Sequence, residues 1–340
     1  GNYGYSDEMT GAGWQTPRIG WESEIPQRHW HQNDPGVVPN MLMTGAGSPT
    51  GMQVSEGDLL PSIFHGQPLH CDAGPNVVRA YVTQPDGAGY KAEIVNLLDG
   101  SKNRWFRPSD VAVAPDGSLI VADWYDPGVG GHGMGDVTRG RLFRVTTKAA
   151  EKFQVPSFKL DTVEGAVAAL KSPNEEARYL VWKKLHEKPG FGYKAWSELA
   201  KVYRSNTEQS VFRARAFWLL ASLFAKDGGT TISNPLPEAH ELVWEHFNQM
   251  LRVDDPNLRI TGLRAARQLW QQKQPEKFRE VIAKVVTDKS LAVRRETAIA
   301  LRFGTTRDDA SLLGALIDDY AKPDRWFTEA LGIADDRIAV

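Results

Sequence analysis

The spacing of apolar residues changes once along this chain, and that change constrains the fold more than any other feature. The first part has short apolar runs, at Gln67–Cys71, Val77–Val82, Val111–Ala114, Leu119–Ala122 and Leu142–Val145. Turn signals such as Pro85-Asp86-Gly87 and Pro115-Asp116-Gly117 separate these runs, as in antiparallel hairpins. The later part has apolar residues at helical spacing. We therefore predict a β part over residues 1–147, a linker over 148–160 and an α part over 161–340.

The β part contains an internal repeat. The matching pairs are Ser48–Val54 with Arg107–Val113, Leu69–Asp72 with Ile120–Asp123, and Val77–Tyr81 with Leu142–Val145. The first two pairs are offset by 59 and 51 residues. A four-stranded unit repeated at about this period is typical of β-propeller blades. The sequence thus predicts two C-terminal blades of a propeller, preceded by a long ordered loop over residues 1–40.

Five predicted helical hairpins make up the α part. They cover Asp161–Glu187, Tyr193–Phe224, Pro237–Trp270, Pro275–Phe303 and Asp308–Leu331. An arginine recurs in the second helix of each hairpin, at Arg178, Arg213, Arg259, Arg294 and Arg325. A helix pair cannot bury its apolar face alone, so neighbouring pairs stack into a solenoid. We expect HEAT-like repeats in which each arginine pairs with an acidic residue of its own or the next turn.

Composition excludes several classes of protein. The 40 Lys and Arg residues balance 42 Asp and Glu residues, whereas nucleic-acid-binding domains concentrate basic charge. We therefore expect no nucleic-acid partner. The single cysteine, Cys71, rules out a disulfide within the chain and a multi-cysteine metal site. No apolar run approaches the roughly 20 residues of a membrane helix, and no C-x-x-C-H haem motif occurs.

Two stretches, Ser48–Tyr81 and Arg104–Val145, carry a resemblance to a known family. The second stretch includes Asp123-Trp-Tyr-Asp-Pro followed by two glycines, His132 and a Gly-Arg pair. It resembles the large multidomain proteins described as membrane-bound dehydrogenases of planctomycete and verrucomicrobial bacteria. Their propeller is similar to that of quinoprotein glucose and sorbosone dehydrogenases, and HEAT-like repeats follow it.

This resemblance implies a six-bladed propeller, sugar or alcohol substrates, and a periplasmic or cell-envelope location. It implies pyrroloquinoline quinone and Ca²⁺ as cofactors, with haem c only on a cytochrome c domain outside this chain. The HEAT-like repeats would be the spacer and docking surface towards that domain or another protein. We accordingly expect an internal fragment of a longer polypeptide, inactive when isolated.

The resemblance also assigns site residues. The quinoprotein sugar dehydrogenases have Arg-x-Arg-Asp-Val facing the cofactor carboxylates, and this chain has Arg107-Pro-Ser-Asp-Val at that place. Arg107, Asp110, Asp123 and Trp124 are the cofactor-binding candidates, and the second family arginine is replaced by Ser109. Arginine suits a quinone carboxylate because its planar fork binds two oxygens. The alternative for Arg107 is an ion pair with Asp110 or Asp123.

The loop after Asp123 is rich in glycine and carries further candidates. Asp123 and Asp126 are predicted calcium ligands, because Ca²⁺ takes oxygen ligands in loose geometry. His132 and His70 are the predicted general bases, ahead of other histidines. The structural interpretation of Asp72 and Asp123 is that each carboxylate accepts backbone N–H groups of the following turn.

Two functional hypotheses remain open at this stage. One is a fragment of a quinoprotein-like oxidoreductase acting on sugars or alcohols. The other is a non-catalytic scaffold that binds carbohydrate or protein through the Trp-rich N-terminal segment and the loop Trp124–His132. Propellers and solenoids serve both purposes, so the fold alone does not separate them.

Overall fold

The protein is described here by a computed structural model that covers most of the chain beyond residue 40. The described residues are 41, 42, 44, 48–128, 138–150, 152–187, 192–226, 238–318 and 324–338. Within them seven strands precede ten α-helices, which confirms the predicted combination of a β part and an α part. The last strand ends at Val145 and the first of these helices begins at Val163.

The strands form two antiparallel sheets, with orders β1-β2-β3-β4 and β5-β6-β7. Their bounds are β1 Pro49–Val54, β2 Pro68–Asp72, β3 Val77–Asp86, β4 Gly89–Asp99, β5 Pro108–Val113, β6 Leu119–Asp123 and β7 Arg141–Val145. The five predicted apolar runs correspond to β2, β3, β5, β6 and β7. Strand β4 was missed as an apolar run because exposed charged residues, Lys91 and Glu93, interrupt it.

The repeat seen in the sequence has a counterpart in the hydrogen bonds. Pro49 lies opposite Asp72 in the first sheet, and Pro108 lies opposite Asp123 in the second. The residue before each proline donates its backbone N–H to the aspartate, over 2.7 Å in the first sheet and 2.8 Å in the second. Both sheets have a bulge directly after the proline. The two aspartates are thus equivalent.

The third pair of the repeat is shifted by one residue from the predicted alignment. Val77 lies opposite Asp72, and Arg141 lies opposite Asp123. Val77 therefore corresponds to Arg141, and not to Leu142 as the sequence comparison suggested. Each segment has two apolar residues followed by an arginine, Val77-Val78-Arg79 in one and Leu142-Phe143-Arg144 in the other. Matching these arginines gives a register that is wrong by one residue.

The two sheets share one apolar core, which includes Leu69, Cys71, Val78, Ala80, Val111, Val113, Leu119 and Val121. In the first sheet the core residue Cys71 lies one position before the repeated aspartate. In the second sheet the core residue Val121 lies two positions before it. Because successive residues of a strand point to opposite faces, the sheets turn opposite faces of the repeated unit towards the common core.

The helices are α1 Val163–Ala169, α2 Glu175–Glu187, α3 Gly192–Arg204, α4 Ser210–Lys226, α5 Glu238–Met250, α6 Pro256–Trp270, α7 Pro275–Val285, α8 Leu291–Leu301, α9 Arg307–Asp318 and α10 Arg325–Ile338. Each predicted hairpin segment contains two of them. Helix α10 continues seven residues beyond the predicted end at Leu331. Among the residues with a described placement, no helix is long and apolar enough to cross a membrane.

The recurring arginines make different contacts. Arg259 donates two hydrogen bonds to the Asp288 carboxylate, at 2.7 and 2.8 Å, which confirms the predicted pairing with the next turn. It also donates to two carbonyls of the turn before its own helix. Arg178 likewise binds two carbonyls of the preceding turn, but its ion-pair partner is Glu56, at 2.6 Å.

The chain divides into two compact units. One comprises residues 44–84 and 91–226, and so contains α1–α4 and both sheets, except the ends of β3 and β4 and the turn that joins them. The described residues of the other are 41, 42, 85–90, 238–318 and 324–338, which include the helices from α5 onwards. These units group α1–α4 with the sheets, whereas the predicted division followed the change in periodicity.

Candidate functional site

Arg107 is buried immediately before β5 and binds backbone carbonyls. Its Nε donates to the Asp126 carbonyl at 2.9 Å, and Nη2 donates to the Pro127 carbonyl at 3.0 Å. Its Nη1 donates to the carbonyls of Ala73 and Gly74, at 2.6 and 3.1 Å. Four of the five guanidinium N–H donors are thus used to join the loop after β2 to the loop after β6.

Asp123 uses both carboxylate oxygens within the fold. Its Oδ1 accepts the backbone N–H groups of Arg107 and Tyr125, at 2.8 and 2.9 Å. Its Oδ2 accepts two bonds from Arg141, at 3.1 and 2.6 Å. The predicted structural interpretation is therefore confirmed for Asp123. The alternative ion pair between the Arg107 and Asp123 side chains is wrong, because Arg141 occupies that position.

Asp110 and Asp126 also have local partners. The Asp126 carboxylate is buried and accepts the Gly128 N–H at 2.7 Å. Asp110 accepts the N–H of Val111 at 2.9 Å, so it is not the ion-pair partner of Arg107 either. It lies against Gly51 of β1, where an added Cβ would be only 2.0 Å from a carboxylate oxygen. Only glycine allows this approach of β1 to β5.

His70 is part of a buried polar group on the face of the first sheet that is turned away from the shared core. Its Nδ1 lies 2.7 Å from the Tyr81 hydroxyl. The ion pair between Arg79 and Asp72, at 3.6 Å, belongs to the same face. Burial is the main cause that lowers the pKa of His70, and the Arg79 charge adds to it while the Asp72 charge opposes it. The imidazole is consequently neutral at neutral pH.

Two predicted features, the general base His132 and the calcium site, are not seen as complete sites in the described residues. His132, like His29 and His31, lies outside the described residues. In the described part of the chain, no group of three or more His, Cys, Asp or Glu residues is arranged to hold a metal ion. The calcium ligands Asp123 and Asp126 therefore stay a prediction.

The contacts of Arg107 do not fit its predicted role of binding a carboxylate of the quinone. A guanidinium that has four N–H groups on carbonyls offers no free fork to a carboxylate. Ser109 occupies the position of the second family arginine and its hydroxyl lies 3.4 Å from the Ala122 carbonyl. These residues therefore support no reaction step that involves a quinone, and the cofactor stays a prediction.

A group of aromatic residues lies directly beside Arg107. Backbone bonds from Trp124 to Arg107 and from Asp126 to Trp105, both 3.1 Å, extend the β5–β6 pairing and bring the two chain segments together. The Trp105 and Tyr125 rings have centroids 5.3 Å apart at an angle of 41°. The side chains of Trp105 and Trp124 are both 38% exposed. We call Trp105, Trp124 and Tyr125 the aromatic platform.

Tyr125 is held in an uncommon backbone conformation. Its φ angle is +56°, in the left-handed region that bulky residues rarely adopt. The Asp123 carboxylate holds its N–H, and the Arg141 guanidinium lies 4.1 Å from its ring centroid. Backbone conformations of this kind cost free energy and cluster at functional sites. The ring orientation at the platform is thus set by Asp123 and Arg141 together.

An open cleft of about 560 Å³ lies next to the platform, because Arg141, whose guanidinium lies over the Tyr125 ring, is one of its lining residues. Its apolar lining is Leu98, Phe106, Phe143 and Val145, and its polar lining includes Asp99, Lys102, Asn103, Arg141 and Arg144. Apolar walls with a few polar groups are typical of small-molecule sites. Sequence reasoning named Trp124 but missed Trp105 and Arg141. The high tryptophan content, 11 residues, was the signal that could have directed attention to them.

Part of the chain is similar to a known protein family. Residues 24–148, which include both sheets, match a family described as a domain of unknown function (DUF7133). No curated protein and no solved structure matches the chain. The match includes the aromatic platform and the cleft, and it leaves the resemblance to quinoprotein dehydrogenases a prediction.

Proposed function

We propose that this chain binds carbohydrate at the aromatic platform and the adjoining cleft. The single observation that carries the proposal is the contact between the Trp105 and Tyr125 rings, 5.3 Å apart, beside Arg141, which also lines the cleft. Pyranose rings have apolar C–H faces that pack on exposed aromatic rings. Large rigid side chains provide this contact area at a low cost in conformational entropy.

The polar groups beside the rings suit sugar hydroxyls. Arg141 uses Nε and Nη2 on Asp123, while its Nη1 has no hydrogen-bond acceptor among the described residues. Its side chain is 38% exposed. A charged donor fixed by a buried carboxylate can bind a hydroxyl oxygen without first losing side-chain entropy. The arrangement therefore supports binding of a ligand that is apolar on one face and polar at its edges.

In the proposed architecture the two sheets are neighbouring blades of a β-propeller. The equivalent aspartates Asp72 and Asp123, the matching bulges and the opposite faces turned to a common core support this interpretation. The helix pairs with recurrent arginines would likewise be HEAT-like repeats. Loops at one end of such blades are common sites of binding on a rigid scaffold.

Affinity electrophoresis of the full 340-residue chain, in gels containing individual plant and algal polysaccharides, tests the proposal. The wild-type chain should be retarded by at least one polysaccharide. Trp105→Ala should weaken that interaction by about tenfold, which corresponds to about 1.4 kcal/mol. Isothermal titration calorimetry with an oligosaccharide of the retarding polymer would measure the change.

Trp182→Ala is the matched control, because Trp182 on α2 is similarly exposed, at 42%, and lies away from the platform in the sequence. This variant should bind as the wild type does. Circular dichroism of both variants would establish that they are folded. Retardation by no polysaccharide, or equal binding by folded Trp105→Ala, would overturn the proposal.

The oxidoreductase activity implied by the family resemblance stays a prediction. The predicted residues that are described here, among them Arg107, Asp123 and His70, bind other groups of the fold. Sugar binding at the platform does not depend on that activity. The cytochrome c partner and the envelope location also stay predictions.

A further inference from the structure

Two exposed cations that precede the aromatic platform in the chain have side chains with no hydrogen-bond or ion-pair partner among the described residues. They are Lys102 and Arg104, which flank Asn103 in the segment leading to Trp105. The Asn103 carboxamide oxygen accepts the Trp105 N–H at 3.2 Å, a local bond that shapes this turn. The turn therefore carries two unpaired cations and one of the two contacting rings.

The cleft next to the platform also has an excess of cations. Lys102, Arg141 and Arg144 line it, and Asp99 is the one carboxylate among its lining residues. Asp99 accepts the N–H of Ser101 at 2.7 Å. The acidic partners of Arg141 and Arg144 are Asp123 and Asp116, whose side chains are only 0% and 7% exposed. The charge presented to solvent here is therefore mainly positive.

We infer that the ligand of this face is an acidic glycan, one that carries carboxylate or sulfate groups on its sugar rings. This inference rests on the proposed function and specifies its ligand. The exposed ring of Trp105, supported by Tyr125, would pack on the sugar, while Lys102 and Arg104 would neutralise its charged groups. Guanidinium groups bind carboxylate and sulfate oxygens through paired N–H donors.

Nucleic acid is the other anionic polymer that aromatic rings and cations can bind. The chain as a whole has a net charge of −2, which disfavours a strongly charged polyanion. The two cations of this turn, Lys102 and Arg104, occupy one short segment, whereas backbone-tracking sites need a long basic groove. The observations therefore favour a glycan with moderately spaced charges.

Isothermal titration calorimetry with matched pairs of oligosaccharides tests this inference. One pair is a galacturonic acid oligosaccharide and its fully methyl-esterified form. The other pair is a sulfated galactan oligosaccharide and its desulfated form. We expect the acidic member of one pair to bind about tenfold more tightly than its neutral member, with a preference that shrinks between about 0.05 M and about 0.3 M salt because ions screen exposed charges.

The double variant Lys102→Gln/Arg104→Gln should bring the affinity for the acidic member close to that for the neutral one. The control Lys91→Gln/Lys183→Gln removes two exposed cations of the same compact unit and should keep the wild-type preference. Trp105→Ala should weaken binding of both members of the pair. The ratio of the affinities for the acidic and neutral members thus measures the contribution of charge. The absolute affinity measures the contribution of stacking on Trp105.

The outcomes separate the two proposals. If neither pair shows a preference, or if the preference survives Lys102→Gln/Arg104→Gln, the inference of an acidic ligand is wrong. Binding of a neutral member that depends on Trp105 would still support the proposed function. If no oligosaccharide binds, both proposals are wrong. Tighter binding of a single-stranded oligonucleotide than of any oligosaccharide would also overturn the inference.

Discussion

The guanidinium of Arg107 donates a hydrogen bond to the carbonyl oxygen of Ala73, at 2.6 Å. Ala73 directly follows β2 and begins the first of the two equivalent loops. Arg107 directly precedes β5, the first strand of the second sheet. One side chain therefore satisfies buried carbonyls that belong to both loops. Unsatisfied buried carbonyls are costly, so the arginine is a structural element of the face on which the aromatic platform lies.

Replacing Arg107 by lysine should destabilise the protein although the charge is kept. An ammonium group cannot reach four carbonyls in the fixed geometry of a guanidinium fork. We expect a loss of about 2–4 kcal/mol in the free energy of unfolding, measured by urea denaturation. Arg104→Lys, at an exposed position, should change it by less than about 0.5 kcal/mol. Equal stability of the two variants would mean that Arg107 is free for a ligand.

The buried ion pair between Arg259 and Asp288 should contribute strongly to the helical repeats. The two side chains are only 5% and 9% exposed. Asp288→Asn keeps the size of the side chain but leaves the guanidinium without its counter-charge, so we expect a loss of about 3 kcal/mol. The adjacent Lys289→Gln is the control, because that exposed side chain should contribute less than about 0.5 kcal/mol. A similar small change in both variants would contradict this prediction.

Cys71 should be almost inert towards thiol reagents in the folded protein. Burial, assisted by the Asp110 charge, raises the pKa of its thiol to about 12. The thiolate is the reactive form, so at about pH 8 labelling should be about 1,000-fold slower than in the unfolded chain. Iodoacetamide labelling with and without urea measures the ratio, and Cys71→Ser is the blank. Rapid labelling of the native protein would show that this core opens readily.

His70 should make the stability of the protein depend on pH. Its pKa is lowered in the folded state, chiefly by burial, so the unfolded chain takes up a proton first as the pH falls. The stabilisation is complete above the unfolded pKa of about 6.5 and is lost as the pH falls towards the lower folded pKa. The slope cannot exceed about 1.4 kcal/mol per pH unit for one group.

Urea denaturation between about pH 8 and pH 5 would measure this dependence. The His70→Gln variant should show a shallower loss of stability than the wild type over the same range. The other seven histidines are common to both proteins, so the difference isolates His70. Parallel profiles would contradict the lowered pKa of His70.

The helices and the repeat could be read from the sequence because their signals are local. All five helical hairpins lie where the apolar spacing placed them, and the equivalence of Asp72 and Asp123 followed from matching segments. Register was harder, since the match of Val77 with Leu142 is off by one residue. Short strands tolerate a shift in a sequence comparison, whereas a pleated sheet does not.

The sequence by itself determined the alternation of strands and helices, the turns and the residues able to occupy a core. Only the tertiary structure decided which charges meet: Arg141, and not Arg107, pairs with Asp123, and carbonyls of two loops surround Arg107. It also brought together Trp105, which precedes β5, and Tyr125, which follows β6. The reason is physical, because periodicity depends on neighbours along the chain, whereas a binding face depends on side chains that only the folded backbone brings within contact distance.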